Sequence, residues 1–106
     1  MAGSVKRLYG PAAVTAGNVA VYNPPAAGAI LTEILVTNVT GTAATITLAI
    51  GTTATPANCF LNGISVPASD TLRIPIYLPL LDADVINVIG GIASALNLTL
   101  SGVDLT

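Results

Sequence analysis

Alternation of apolar and polar positions with period two is the dominant signal along the chain. Its cleanest runs set Ile46, Leu48 and Ile50 against Thr45, Thr47 and Ala49, and Leu96, Leu98 and Leu100 against Asn97, Thr99 and Ser101. Successive side chains of a strand point to opposite faces, so both runs predict strands with one buried face. Leu72, Ile74 and Ile76 alternate in the same way with Thr71, Arg73 and Pro75. Proline has no N–H to give to a ladder, which assigns this run to an edge or a bulged strand. Val19 and Val21 form a shorter run, and Val85 to Ile89 another. Residues 29–39 are apolar on both sides, with Ile30, Ile34 and Val36 on one face and Leu31, Leu35 and Val39 on the other. That pattern predicts a strand covered on both faces.

Turn-forming residues fall between these runs: Asn23-Pro24-Pro25, Thr40-Gly41-Thr42, Thr55-Pro56-Ala57-Asn58, Asn62-Gly63, Pro67 to Asp70, Asp82-Ala83-Asp84 and Gly90-Gly91. Asn62-Gly63, between Cys59-Phe60-Leu61 and Ile64-Ser65-Val66, predicts a tight hairpin whose two central residues take positive φ. No stretch offers a helical stripe with caps; residues 92–96 have room for one turn at most. About seven to nine short strands with regularly spaced turns predict an all-β, antiparallel β-sandwich, jelly-roll or immunoglobulin-like. Residues 15–106 are assigned to the sandwich. Residues 1–14, with Gly3, Gly10 and Pro11 and no alternation of their own, are assigned to an extended N-terminal arm.

Composition changes the picture at the surface. The chain has 106 residues, of which 53% are apolar and 8% charged, against about 25% charge in ordinary domains. A folded chain of this mass keeps about 5,400 Å² of surface, and eight charged side chains are few to cover it. Much of that surface is therefore expected to be covered by another molecule, which points to a component of an assembly.

Most site chemistries lack their parts. There is no histidine, and the acids are Glu33, Asp70, Asp82, Asp84 and Asp104; a Cys/His zinc site and a Ser–His–Asp triad are excluded. Asp82 and Asp84 stand two apart, but calcium takes six to eight oxygens, so a polar turn is expected there, with no metal and no cofactor. Neither is the pair expected to form a glycosidase dyad, so the chain is read as non-enzymatic. Three cations, Lys6, Arg7 and Arg73, and a net charge of −2 argue against nucleic acid as partner and against a polybasic membrane contact. No run of about 18 apolar residues is present. Leu8-Tyr9-Gly10-Pro11 interrupts any secretory core after Lys6-Arg7, so a leaderless cytosolic product is expected. Cys59, the single cysteine, has no basic neighbour and is expected to be a buried, inert thiol. Asn38 and Asn97 fit the glycosylation sequon, but Asn38 is expected to close a strand end by bonding local backbone. The adjacent cations make Lys6, Arg7, Leu8 and Tyr9 the candidate partner-binding segment.

One resemblance runs along nearly the whole chain. It is carried by Val5-Lys6-Arg7-Leu8-Tyr9-Gly10-Pro11, Ile34-Leu35-Val36-Thr37-Asn38, residues 42–51, Val66-Pro67-Ala68, Asp84-Val85-Ile86 and Leu100-Ser101-Gly102-Val103-Asp104-Leu105. Together these segments resemble a small virion protein of tailed bacteriophages; Asp82-Ala83-Asp84 stands where that pattern has a small-residue and glycine turn. The resemblance implies a small β-sandwich on the outside of a capsid as cement or decoration, often a trimer. Its partners would be other copies of itself and the major capsid protein or another virion protein. The same resemblance allows a tail or fibre module that binds host-surface carbohydrate or protein.

The alternating runs make a direct prediction. Leu98→Asp should abolish folding, because a charge would replace a core side chain worth about 1.5–3 kcal/mol of burial, whereas Thr99→Asp should fold normally. Circular dichroism of the two variants checks this; equal behaviour would refute the strand assignment.

Overall fold

The described residues form eight strands: β1 (Gly3–Ala13), β2 (Val19–Tyr22), β3 (Ala29–Asn38), β4 (Ala44–Ile50), β5 (Cys59–Val66), β6 (Thr71–Leu80), β7 (Ile86–Gly90) and β8 (Leu96–Leu105). The structure is a computed structural model that describes residues 3–51, 57–81, 83–92 and 94–105. Two antiparallel sheets of four strands are built in the orders β1-β8-β3-β6 and β2-β7-β4-β5. Strand pairs β1–β8, β2–β7, β3–β6 and β4–β5 are all neighbours. The chain is thus one long hairpin, doubled back between β4 and β5 and rolled up, which is the jelly-roll form of the sandwich. Every connection except β4–β5 crosses from one sheet to the other.

The core lies between the sheets. Leu31, Ile34 and Val36 from β3 and Leu96, Leu98 and Leu100 from β8 meet Ile46 and Leu48 from β4 and Ile86 and Val88 from β7. All the leucines and isoleucines among them are fully buried. Ile50, expected in the core, is half-buried and packs against its margin. β6 is an edge strand, as Pro75 required, and its register against β3 shifts between Pro75 and Leu78.

Four expectations are corrected. The first concerns residues 1–14: residues 3–13 are not an arm outside the sandwich but its edge strand β1, paired with β8 from Gly3↔Leu105 to Ala13↔Asn97. Its alternation is hidden because the register shifts twice, between Arg7 and Tyr9 and between Tyr9 and Ala12. Gly10, φ +77, lies close against β8: a Cβ there would lie 2.0 Å from the Leu98 carbonyl oxygen.

The second concerns Asn62-Gly63, which lies inside β5 and not at a hairpin turn. Between Ile46↔Ile64 and Leu48↔Leu61, β5 uses one residue more than β4. Positive φ at Gly63 (58°) serves this bulge, and its N–H donates to Thr47 Oγ1 at 3.0 Å.

The third concerns β3, which is not covered on both faces. Opposite β8 it gains a residue between Leu31 and Glu33, so the face assignment flips there. Leu31, Ile34 and Val36 share the core face, while Ile30 and Leu35 lie half-buried on the outer one. The fourth concerns Cys59, which is half-buried at the start of β5 and not fully enclosed.

Turn chemistry is otherwise local and satisfied. Gly28 N–H bonds the Pro25 carbonyl at 2.8 Å, and Asp70 N–H reaches that of Pro67 at 3.3 Å. Of the predicted turns, residues 55 and 56 and Asp82 lie outside the described residues. Asn38 closes β3, as its residue type suggested, and joins the sheets as well. Its Nδ2 donates to the carbonyls of Thr42 (2.8 Å) and Val66 (3.1 Å), and its Oδ1 accepts from Thr40 N–H (2.9 Å) and Oγ1 (2.8 Å). Asn38 is 1% exposed, so Asn38→Ala would leave the buried Val66 carbonyl without this donor and unmake the bonds to Thr40 and Thr42. We expect a loss of about 2–4 kcal/mol in urea unfolding; a loss under about 0.5 kcal/mol would show that the clasp carries no stability.

Candidate interaction surface

Along β1 the side chains alternate across the sheet edge. Lys6 lies opposite Gly102 and turns inward; Val5 and Arg7 lie opposite Val103 and Ser101 and turn outward. The shift after Arg7 brings both Leu8 and Tyr9 against the core. Of the four residues expected to meet a partner, two are therefore packing residues and one, Lys6, is paired within the chain. Arg7 alone is exposed and without a carboxylate partner among the described residues.

Lys6 belongs to a clamp at one end of the sandwich. Its Nζ pairs with Asp104 Oδ2, while the Tyr22 hydroxyl donates to Asp104 Oδ1. The three residues sit on β1, β8 and β2, so the clamp ties an edge strand and both sheets together. Burial pushes the Asp104 carboxyl up, but hydrogen bonds from Lys6 and Tyr22 and the Lys6 charge outweigh it and hold the pKa below its ordinary 3.8. Burial, then the bond to Asp104 and its charge, push the Tyr22 hydroxyl well above its ordinary 10.0.

The outward face of the β1-β8-β3-β6 sheet carries the least expected feature. Cross-strand register sets Val5 beside Val103, Val103 beside Ile30, and Ile30 beside Pro79, an apolar row across all four strands. Tyr77, on the same face of β6, is 72% exposed, and Val5 is 88% exposed. Leu81, just past the end of β6, is 71% exposed. Above the row the face is polar but nearly neutral: Arg7, then Ser101, then Glu33, whose carboxylate is held by Arg73. Sequence reading missed this row, because which residues become neighbours depends on strand order and on two bulges. Val5, a β-branched residue next to the cations Lys6 and Arg7, is the trace of it in the sequence.

The remaining candidates are plain. Asp84 lies in a turn, accepting the Leu81 N–H at its Oδ2 (2.9 Å) while its own N–H bonds the Leu81 carbonyl. No group of three acidic or cysteine side chains suited to a metal occurs among the described residues. No helix of the described chain is long and apolar enough to cross a membrane. The fold and surface thus define an all-β sandwich with an apolar outer sheet face. Comparison with protein-family models, curated proteins and solved structures found no match to this chain.

The clamp predicts a pH window. A depressed carboxyl pKa adds stability above the unfolded value that is lost as pH falls through the folded one; a raised tyrosine pKa adds stability below about pH 10 that is lost as pH rises. Urea midpoints should fall below about pH 4 and above about pH 10. Asp104→Asn should flatten part of the acid limb. An unchanged acid limb in that variant would mean the clamp contributes nothing.

Proposed function

We propose that the chain is a non-enzymatic structural protein of a bacteriophage virion, a capsid cement or decoration protein that self-associates as a trimer and stabilises the capsid lattice. The observation that carries this reading is the apolar row Val5, Val103, Ile30 and Pro79 on the open side of one sheet, with Tyr77 beside it. Val5 and Tyr77 are strongly exposed while Ile30 and Val103 are half-buried, and contiguous exposed apolar patches mark interaction sites when they are large. Charge is scarce as well: eight charged residues serve 5244 Å² of surface, about 650 Å² each. Jelly rolls are a recurrent scaffold of viral capsid proteins, which agrees with the resemblance carried by the sequence. A protein that binds only the assembled lattice stabilises it by mass action, so cement action needs contacts and no catalytic group. The head-surface location, the capsid protein as partner and the virion as destination belong to this proposal.

Because residues 3–9 belong to β1, point substitutions on the outer face are a cleaner test than truncation. Val5→Asp with Tyr77→Asp should leave the circular dichroism spectrum unchanged and weaken attachment to capsids of the encoding phage at least about tenfold, equivalent to about 1.4 kcal/mol. Undiminished attachment of that folded variant would overturn the role given to this face. Immunogold labelling of virions decides the location: label over the head supports cement, and label confined to the tail assigns the chain to a host-surface module instead.

A further inference from the structure

We infer that self-association is heterologous: the Val5–Arg7 side of the outer sheet face of one copy receives the β6–β7 turn of the next, with Leu81 on the apolar row and Asp84 against Arg7. The inference rests on the assembly reading for its occupant, and on charge and exposure for its geometry.

Three cations must be accounted for. Lys6 is held by Asp104 and Arg73 by Glu33. That leaves Arg7, exposed on β1 beside Val5, without a carboxylate among the described residues. Covering the apolar row would desolvate Arg7, and an unpaired buried charge is strongly unfavourable. A face-to-face pairing of two identical sheets fails this requirement, because it brings a second Arg7 and a Glu33 already engaged by Arg73. The carboxylate must come from elsewhere on the neighbour.

Among the described residues, Asp70 and Asp84 are the acids without a cation. Asp70 follows Pro67, Ala68 and Ser69, which offer no large apolar side chain; each of the two carboxylates accepts one local N–H, from Thr71 and from Leu81. Asp84 sits in a turn whose first residue, Leu81, is 71% exposed. Asp70 lies beside Val39, which is 57% exposed, through the Asn38 N–H bond to its carbonyl; Leu81, at 71%, is the more exposed of the two apolar side chains, which favours Asp84 for the cation and apolar row of the receiving face. The two halves of this contact lie at opposite edges of one sheet, β1 and the end of β6. A contact of that kind joins copies head to tail and closes into a ring when its rotation permits. Pro75 and Pro79 on β6 cannot donate backbone bonds, so the β6 edge is blunted against ladder extension and side chains must make the contact.

Light scattering after size exclusion on five proteins tests this: wild type, Arg7→Glu, Asp84→Asn, Asp84→Lys, and Arg7→Glu with Asp84→Lys. Asp84→Asn retains an acceptor for the Leu81 N–H, so it separates loss of charge from loss of the turn. The inference expects a wild-type closed oligomer at micromolar concentration. Arg7→Glu and Asp84→Asn should each weaken association about tenfold or more, Asp84→Lys further, and the charge swap should restore it to within a few-fold. An oligomer indifferent to the single changes, or a swap no better than its parts, would overturn the contact while leaving the assembly reading intact. Rescue of Arg7→Glu by Asp70→Lys instead would overturn the assignment of Asp84. A wild-type monomer would overturn both.

Discussion

Everything in this structure depends on one constraint: the eight described strands must present their apolar side chains to a single layer between two sheets. The nested pairing β1–β8, β2–β7, β3–β6 and β4–β5 meets it by rolling one long hairpin, so that almost every connection changes sheet. A strand that turns its apolar set outward breaks that layer, since a slip of one residue exchanges the faces. The chain tolerates mismatches between its sequence and the sheet by bulging. Extra residues at Leu8, Thr32, Gly63 and the Pro75–Leu78 stretch re-aim side chains without loss of the layer. Glycine appears where backbones close in: at Gly102 a Cβ would lie 2.1 Å from the Ile30 carbonyl oxygen.

The same bulges explain what could and could not be read from the amino-acid sequence. β4 and β8 were legible because their alternation runs unbroken through the core face. The edge placement of β6 was legible because proline lacks a donor. β1 was not, since two register shifts and a glycine scramble its period, and its partner β8 lies about 90 residues away in sequence. Asn62-Gly63 was misread because positive φ serves a bulge as well as a hairpin, and local chemistry does not distinguish them. On the candidate surface, Arg7 was legible as an isolated cation. The fate of its neighbours was not: Lys6 goes to Asp104, and Leu8 and Tyr9 go to the core.

Scarcity of charge gives the surface its meaning. With three cations, two committed to internal pairs, the third, Arg7, has no carboxylate partner among the described residues and is where the inferred contact would take an acid from a neighbour. The clamp of Lys6, Asp104 and Tyr22 also fixes β1 to both sheets, and so holds Val5 and Arg7 on the open face. Stability and association are linked through this strand: what anchors the edge also orients the residues that would meet another copy. An exposed edge strand is otherwise a hazard for unspecific pairing, and a defined contact over its face is one way to manage it.

Inter-chain cross-linking tests the central claim most directly. In a Cys59→Ser background, chains carrying Val5→Cys are mixed with chains carrying Leu81→Cys and mildly oxidised; a disulfide forms only where Cα atoms come within about 7 Å. The account predicts a Val5→Cys to Leu81→Cys link between unlike chains, lost at the dilution that dissociates the oligomer. Links only between like chains, or none in a mixture that remains oligomeric, would contradict it.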